Sequence, residues 1–336
     1  MDRLRVEDWL DTHGIKNYTI NEDLSVDVDG DVMIATAIMC EPRIPVNFRN
    51  VSGYFNCNNN LLSSLEGCPV IVGGNFGCSG NKLIDLEYCP TNVGGDFDCS
   101  CNELTSLNGC FVKIVGSFDC GKNLLRLLEG CPIEVSGDFY CNGNILISLA
   151  DCPVKVGGHF SCIDNRLESL LGCPEFVGGN FHCRGNELLS LEGSPKTIVG
   201  SFYCQGNKIS TLYGCCVNVG GDFHCGYNEL SSLEYSPEKV NGTFNCSNNK
   251  LSSLEGCPIE VVNFFGSENQ LISFEGLPEI TGMFNSYGNK ISESELFLYS
   301  YTPIQISQYY ISKDLNGKLN NILSEEVYIE VKKNKI

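Results

Sequence analysis

Apolar and polar positions along this chain fall on a fixed lattice. Phe stands at 55, 76, 97, 118, 139, 160, 181, 202, 223 and 244, a step of 21 residues, and then at 264 and 284 with a step of 20. Around each Phe the pattern x-F-x-C-x alternates, which is the period of a strand with one buried face, so Phe and Cys point inward and their neighbours outward. Leu at seven and ten residues past Phe, such as Leu104 and Leu107, fills the core beneath the turn that follows. That turn carries Asn five residues after Phe in all twelve copies, from Asn60 to Asn289. Its amide can bond backbone groups that a sharp turn leaves unpaired, both in its own coil and in the next. Gly two residues before Phe, from Gly53 to Gly242, predicts a corner that needs positive φ or close backbone approach. Pro near the end of the unit, as in Pro69, Pro90 and Pro132, excludes a long helix from the return segment.

The whole unit reads V-G-G-x-F-x-C-x-x-N-x-L-x-S-L-x-G-C-P, as in VGGDFDCSCNELTSLNGC from Val93 to Cys110. A unit this short cannot bury its apolar face alone, so the copies must stack into a solenoid. The segment F-x-C-x-x-N-x-L resembles the L-x-L-x-x-N-x-L core of leucine-rich repeats, with Phe and Cys in two of the apolar slots. The short units with Pro resemble the bacterial-effector subclass of that family. The Cys-Pro and Val-Gly-Gly elements resemble repeat proteins encoded by bacteriophages and large DNA viruses. The resemblance covers roughly residues 51–291. It implies a leucine-rich-repeat arc with a parallel β-sheet on the concave face, an irregular convex side and small helical caps. Twelve coils spaced about 4.8 Å apart would form a ladder on the order of 55–60 Å long.

Stacked coils expose apolar cross-sections at both ends, so capping segments are expected. Residues 1–27 are read as an N-terminal helix and cap, with VEDWLDTHG as the helix and Gly14 as its stop. The solenoid then spans 28–291. Its first coil, 28–50, is degenerate, with Val32 in the Phe slot and Ala37 where Asn would stand; twelve repeats follow from 51. SESELFLYSY and KDLNGKLNNILSEE place a helical cap over 292–336.

Composition sharpens this reading. The net charge of −19 argues against a nucleic-acid partner, which would need clustered Lys and Arg, and favours a soluble monomer. No run of apolar residues is long enough to span a membrane, and MDRLRVEDWLDTHGIKNY lacks the apolar core of a secretory signal. A cytoplasmic location with reduced thiols is therefore expected for the 21 Cys. Ten of them, from Cys57 to Cys246, take the inward strand slot, and others such as Cys68, Cys89, Cys131 and Cys257 close the return segment; Cys101, Cys215 and Cys216 fall off the pattern. Buried thiols behave as small hydrophobes. Without a C-x-x-C pair, and with four His, neither a metal site nor a cofactor is expected. DVDGD at 27–31 has Gly30 in the wrong place for a calcium loop and reads as a turn. No phosphate-binding loop, zinc-protease or nucleophile-elbow motif is present, so an enzyme is not expected.

Repeated residues specify the fold, so information about a partner must sit where repeats differ. On the strand these are the outward positions just before Phe, just after it and three beyond it. Coils three to five contribute Asp96, Asp98, Asp119 and Asp138, an acidic patch; coils five to nine contribute Tyr140, His159, His182, Arg184, Tyr203 and His224, an aromatic and partly basic one. Tyr and Arg are enriched in binding hot spots. The bland alternative is a set of variable, solvated strand positions. The function expected is a scaffold that binds a partner protein through its concave face, as a viral or bacterial factor engaging a host or competing protein. The alternatives are a structural or virion assembly component and a carbohydrate-binding adhesin.

Overall fold

The computed structural model describes residues 1–34, 42–109 and 113–292. The expected helical cap beyond Ser292 and the Ala37 position lie outside them. The chain winds as a parallel-strand solenoid, with one short helix among the described residues, α1, at Arg3–Thr12. A 13-stranded parallel sheet runs from Val32–Met33 to Phe284–Asn285, one two- or three-residue strand per coil. Its register is unbroken: Phe55 pairs with Phe76, Phe76 with Phe97, and so on to Phe264 with Phe284. Beneath it the Phe rings form a column, with neighbouring centroids between 5.1 and 6.1 Å apart.

A second set of ladders lies across the Gly-Gly corner, where the return segment had no predicted strand. The residue pairs that end in Val or Ile, such as Ile71–Val72, Lys155–Val156 and Asn218–Val219, form a six-stranded sheet, a two-stranded one, and half of a second six-stranded sheet that the N-terminal strands Tyr18–Ile20, Val26–Val28 and Phe48–Val51 complete, the first of them antiparallel. Each coil thus presents two strands that meet at the corner. The glycines there do not have positive φ; close approach is the reason for them. A Cβ on Gly157 would lie 2.1 Å from the carbonyl oxygen of Ser136 in the coil before. Positive φ occurs instead at the residue ahead of the ladder Asn, which is left-handed in every coil whether it is Gly80, Cys101, Lys122 or Asp164.

The Asn ladder links coils in one direction. Asn165 Nδ2 donates to the carbonyls of Cys162 in its own coil and Cys141 in the preceding one, at 3.1 and 3.0 Å, while its Oδ1 accepts from Leu146 N at 3.0 Å. Both intercoil bonds run back to the preceding coil, not forward to the next. All ten strand Cys are buried, and most thiols donate to a carbonyl one coil on, such as Cys99 Sγ to Asp119 O at 3.3 Å. This explains why a thiol and not a methyl group occupies the slot. Cys215 falls in the ordinary end-of-unit position, its N–H bonded to Leu212 O as that of Cys68 is to Leu65 O; Cys216 stands where other coils have Pro. Cys101 alone among the described Cys is exposed.

At the N-terminus Asp2 caps α1, and Val6 and Leu10 are buried against the first coil. Trp9 stacks on His13 and meets Phe48 edge-on. Val32 pairs with Phe55, taking the Phe position of the stack. The carboxylates of DVDGD hold this end together. Asp27 binds Arg49, which keeps its carboxyl below the usual range; Asp29 accepts from Ser52, and Asp31 accepts from Tyr54 N.

Candidate partner-binding face

Two columns of side chains on the outer face of the Phe sheet divide the expected site residues between them. The first is the residue just before Phe. At the Gly-Gly corner the backbone bond runs from Gly to Gly, as Gly158 N to Gly137 O, so the following N–H has no carbonyl to meet. A side chain from the preceding coil supplies the acceptor: Asp96 Oδ1 to Ser117 N at 2.7 Å, Ser117 Oγ to Asp138 N at 3.0 Å, Asp138 Oδ1 to His159 N at 2.6 Å, and His159 Nδ1 to Asn180 N at 2.8 Å. Asp96, Asp138 and His159 therefore carry out a folding duty. The signal was present in sequence, because this position holds Asp, Asn, Ser, Thr or His in ten of twelve repeats.

The second column is the residue just after Phe. Register sets Asp98, Asp119, Tyr140, Ser161, His182, Tyr203 and His224 side by side in that order, so one row takes part of the acidic patch and part of the aromatic one, while Arg184 stands outside both columns. At the acidic end Asp98 Oδ1 accepts from Ser100 N and Asp119 Oδ1 from Gly121 N, each capping the end of its own strand. Burial, aided by Asp98, pushes the Asp119 carboxyl above its ordinary value. Asn56, Asn245 and Asn285 cap in the same way. Among the described residues, the five coils from Tyr140 to His224 do without this cap, as do those of Gly77 and Phe265.

In its place stand rings. His182 and Tyr203 stack with centroids 4.5 Å apart and 4° between planes; Tyr203 and His224 stack at 4.9 Å and 25°. Burial holds both imidazoles below their ordinary value, with His159 and Arg184 adding to the effect at His182 and Asp222 opposing it at His224. Tyr140 is turned aside, its hydroxyl donating to Asp138 Oδ2 at 2.7 Å, and burial together with that bond pushes it up to about 12. Arg184, three beyond Phe, is exposed beside His182.

Ser161 interrupts the row. It is buried, and its hydroxyl donates to Asn142 Oδ1 at 2.6 Å, the same oxygen that accepts from Ile163 N. Above it opens a hollow of about 270 Å³ between Tyr140 and His182, closed at its ends by His159 and Asn180 on one side and Asn142 and Ile163 on the other. Sequence reasoning missed Ser161, Asn142 and Asn180, since a small polar residue says nothing until its neighbours in the row are known.

No group of three or more His, Cys, Asp or Glu side chains is placed to hold a metal ion among the described residues. No helix among them is long and apolar enough to cross a membrane.

No protein-family model matches the chain, and no curated protein matches its sequence. Solved structures do match its fold. YopM from Yersinia enterocolitica aligns with a TM-score of 0.56 at 20% identity over 74% of this chain, which spans 56% of that protein. YopM from Yersinia pestis, a leucine-rich effector protein, aligns with a TM-score of 0.53 at 18% identity over 78% of each chain. The LRIM1/APL1C complex aligns with a TM-score of 0.49 at 14% identity, over 86% of this chain and 62% of that one.

Proposed function

We propose that the chain is a protein-interaction scaffold that receives its partner on the outer face of the Phe sheet, centred on His182, Tyr203 and His224. One observation carries this reading: on three successive coils the half-buried rings of His182, Tyr203 and His224 stack on one another along the outer face of the sheet. Stacked aromatic side chains with an exposed Arg beside them have the composition of a binding hot spot. Asp98 and Asp119 extend the row as a negative arm that would steer a basic partner. The likeness of the fold to effector proteins supports a finer reading, in which the partner belongs to a host or competitor of the source organism. A reducing compartment suits the buried thiols, and we take the site of action to be cytoplasmic.

The test is capture of partners from a native lysate by the wild type and by Tyr203→Ala/His182→Ala. The double variant is expected to lose about 2 kcal/mol or more of binding, the scale of hot-spot truncation. Glu192→Ala, exposed away from the sheet, serves as control. If the control loses the partner while the double variant keeps it, the docking face lies elsewhere. Recovery of virion components or of glycans instead of a protein would favour an assembly role or an adhesin.

A further inference from the structure

We propose that the hollow over Ser161 is a slot for an arginine side chain of the partner; this rests on the docking-face reading and names the chemistry at its centre. The rows on either side define the fit. Between His182 and His224, two strands apart, one ring of Tyr203 stacks against both faces. Between Tyr140 and His182, also two strands apart, stands Ser161, whose short side chain is turned down to Asn142. The row therefore lacks one flat group at Ser161, and a hollow of about 270 Å³ opens in its place.

Flatness limits the occupant to an aromatic ring or a guanidinium. Charge decides between them. Tyr140, one wall, is held by the carboxylate of Asp138, Asp119 lies next along the row, and Asp164 is exposed at the adjacent turn; Arg184 and Lys122, the latter near Asp119, are the opposing charges, leaving three carboxylates against two cations. The chain as a whole carries −19. The other wall, His182, is kept neutral by burial near pH 7, so it offers a π face and not a cation. A guanidinium stacks on aromatic faces and keeps its edge donors for acceptors around it. An ammonium of the same charge has no flat faces to stack.

Four histidines make the slot observable, because His159 and His182 line it while His224 and His13 do not. The blocked tripeptides acetyl-Gly-Arg-Gly-amide, acetyl-Gly-Lys-Gly-amide and acetyl-Gly-Tyr-Gly-amide, and methyl glucoside, are titrated into the full chain while the imidazole Hε1 signals are followed by NMR. The arginine peptide is expected to move the His159 and His182 signals saturably and leave His13 unmoved. The lysine peptide should bind at least about tenfold more weakly. Ser161→Tyr, which fills the row from within, should weaken the arginine peptide by about tenfold or more, whereas Ser161→Ala should not. If Ser161→Tyr loses its cooperative melt, His182→Ala, read on the His159 signal, takes its place with the same expectation. Equal binding of lysine and arginine peptides, tighter binding of the tyrosine peptide or the glucoside, or no effect of filling the slot would overturn the assignment. Should the arginine peptide fail while Tyr203→Ala/His182→Ala still loses the partner, the slot falls and the docking face stands. Should that double variant keep its partner, the docking face falls whatever the peptides do.

Discussion

Asn165 shows how much one amide carries. It satisfies two carbonyls and one N–H that the turn would otherwise strand, and it contributes little apolar packing. Asn165→Ala should cost about 1–3 kcal/mol in urea unfolding. A neutral result would remove the ladder from the account. The imidazoles give a second test. His182 and His224 sit below their ordinary value in the folded chain, so the folded state holds fewer protons than the unfolded one between those lowered values and about 6.5. Stability present above that window is lost as pH falls through it. NMR titration of Hε1 should place both midpoints under the ordinary imidazole value, and midpoints at or above it would contradict the burial of this row. Asp119 has the opposite sign: its raised carboxyl favours folding at low pH, and that contribution is lost as pH rises through the folded value. Asp119→Asn, which keeps the acceptor for Gly121 N, should therefore raise the unfolding midpoint at pH 7 and leave it unchanged in acid.

At the scale of the element, the coil is governed by its two kinds of tight place. The Gly-Gly corner excludes a side chain because backbone from the preceding coil fills the space. Gly157→Ala would drive a Cβ to 2.1 Å from Ser136 O. The left-handed turn ahead of the ladder Asn tolerates side chains, as Asn59 and Asn248 show with φ of 55° and 58°. Gly143→Asn should thus change the melting temperature little, while Gly157→Ala lowers it by several degrees; equal effects would mean that the corner relaxes freely. What the sequence made legible follows the same division. Phe, Cys, Leu and Asn each fill a slot with one buried environment, so their period revealed the coil directly. The acceptor column before Phe was not legible as such, because the need for it arises from the backbone bond between glycines of adjacent coils. In sequence alone its members, Asp96, Asp138 and His159 among them, look the same as the outward positions that make no such bond.

Across the whole molecule, residues 21 apart in sequence become neighbours, and only the folded register shows which of them share a row. That is why members of the acidic and aromatic patches, distinct in sequence, share a row, and why the hollow at Ser161 had no signal of its own. The central claim is that this face separates two duties: the column before Phe holds coils together, and the rings of His182, Tyr203 and His224 in the row after it are open to a partner. Urea unfolding of Asp138→Ala/His159→Ala beside His182→Ala/Tyr203→Ala compares them directly. The first pair strands two N–H groups, of His159 and Asn180, and should lower the unfolding free energy by about 2–4 kcal/mol, whereas the second should lose about 1 kcal/mol or less. A larger loss from the aromatic pair than from the capping pair would contradict the claim, since the rings would then belong to the fold.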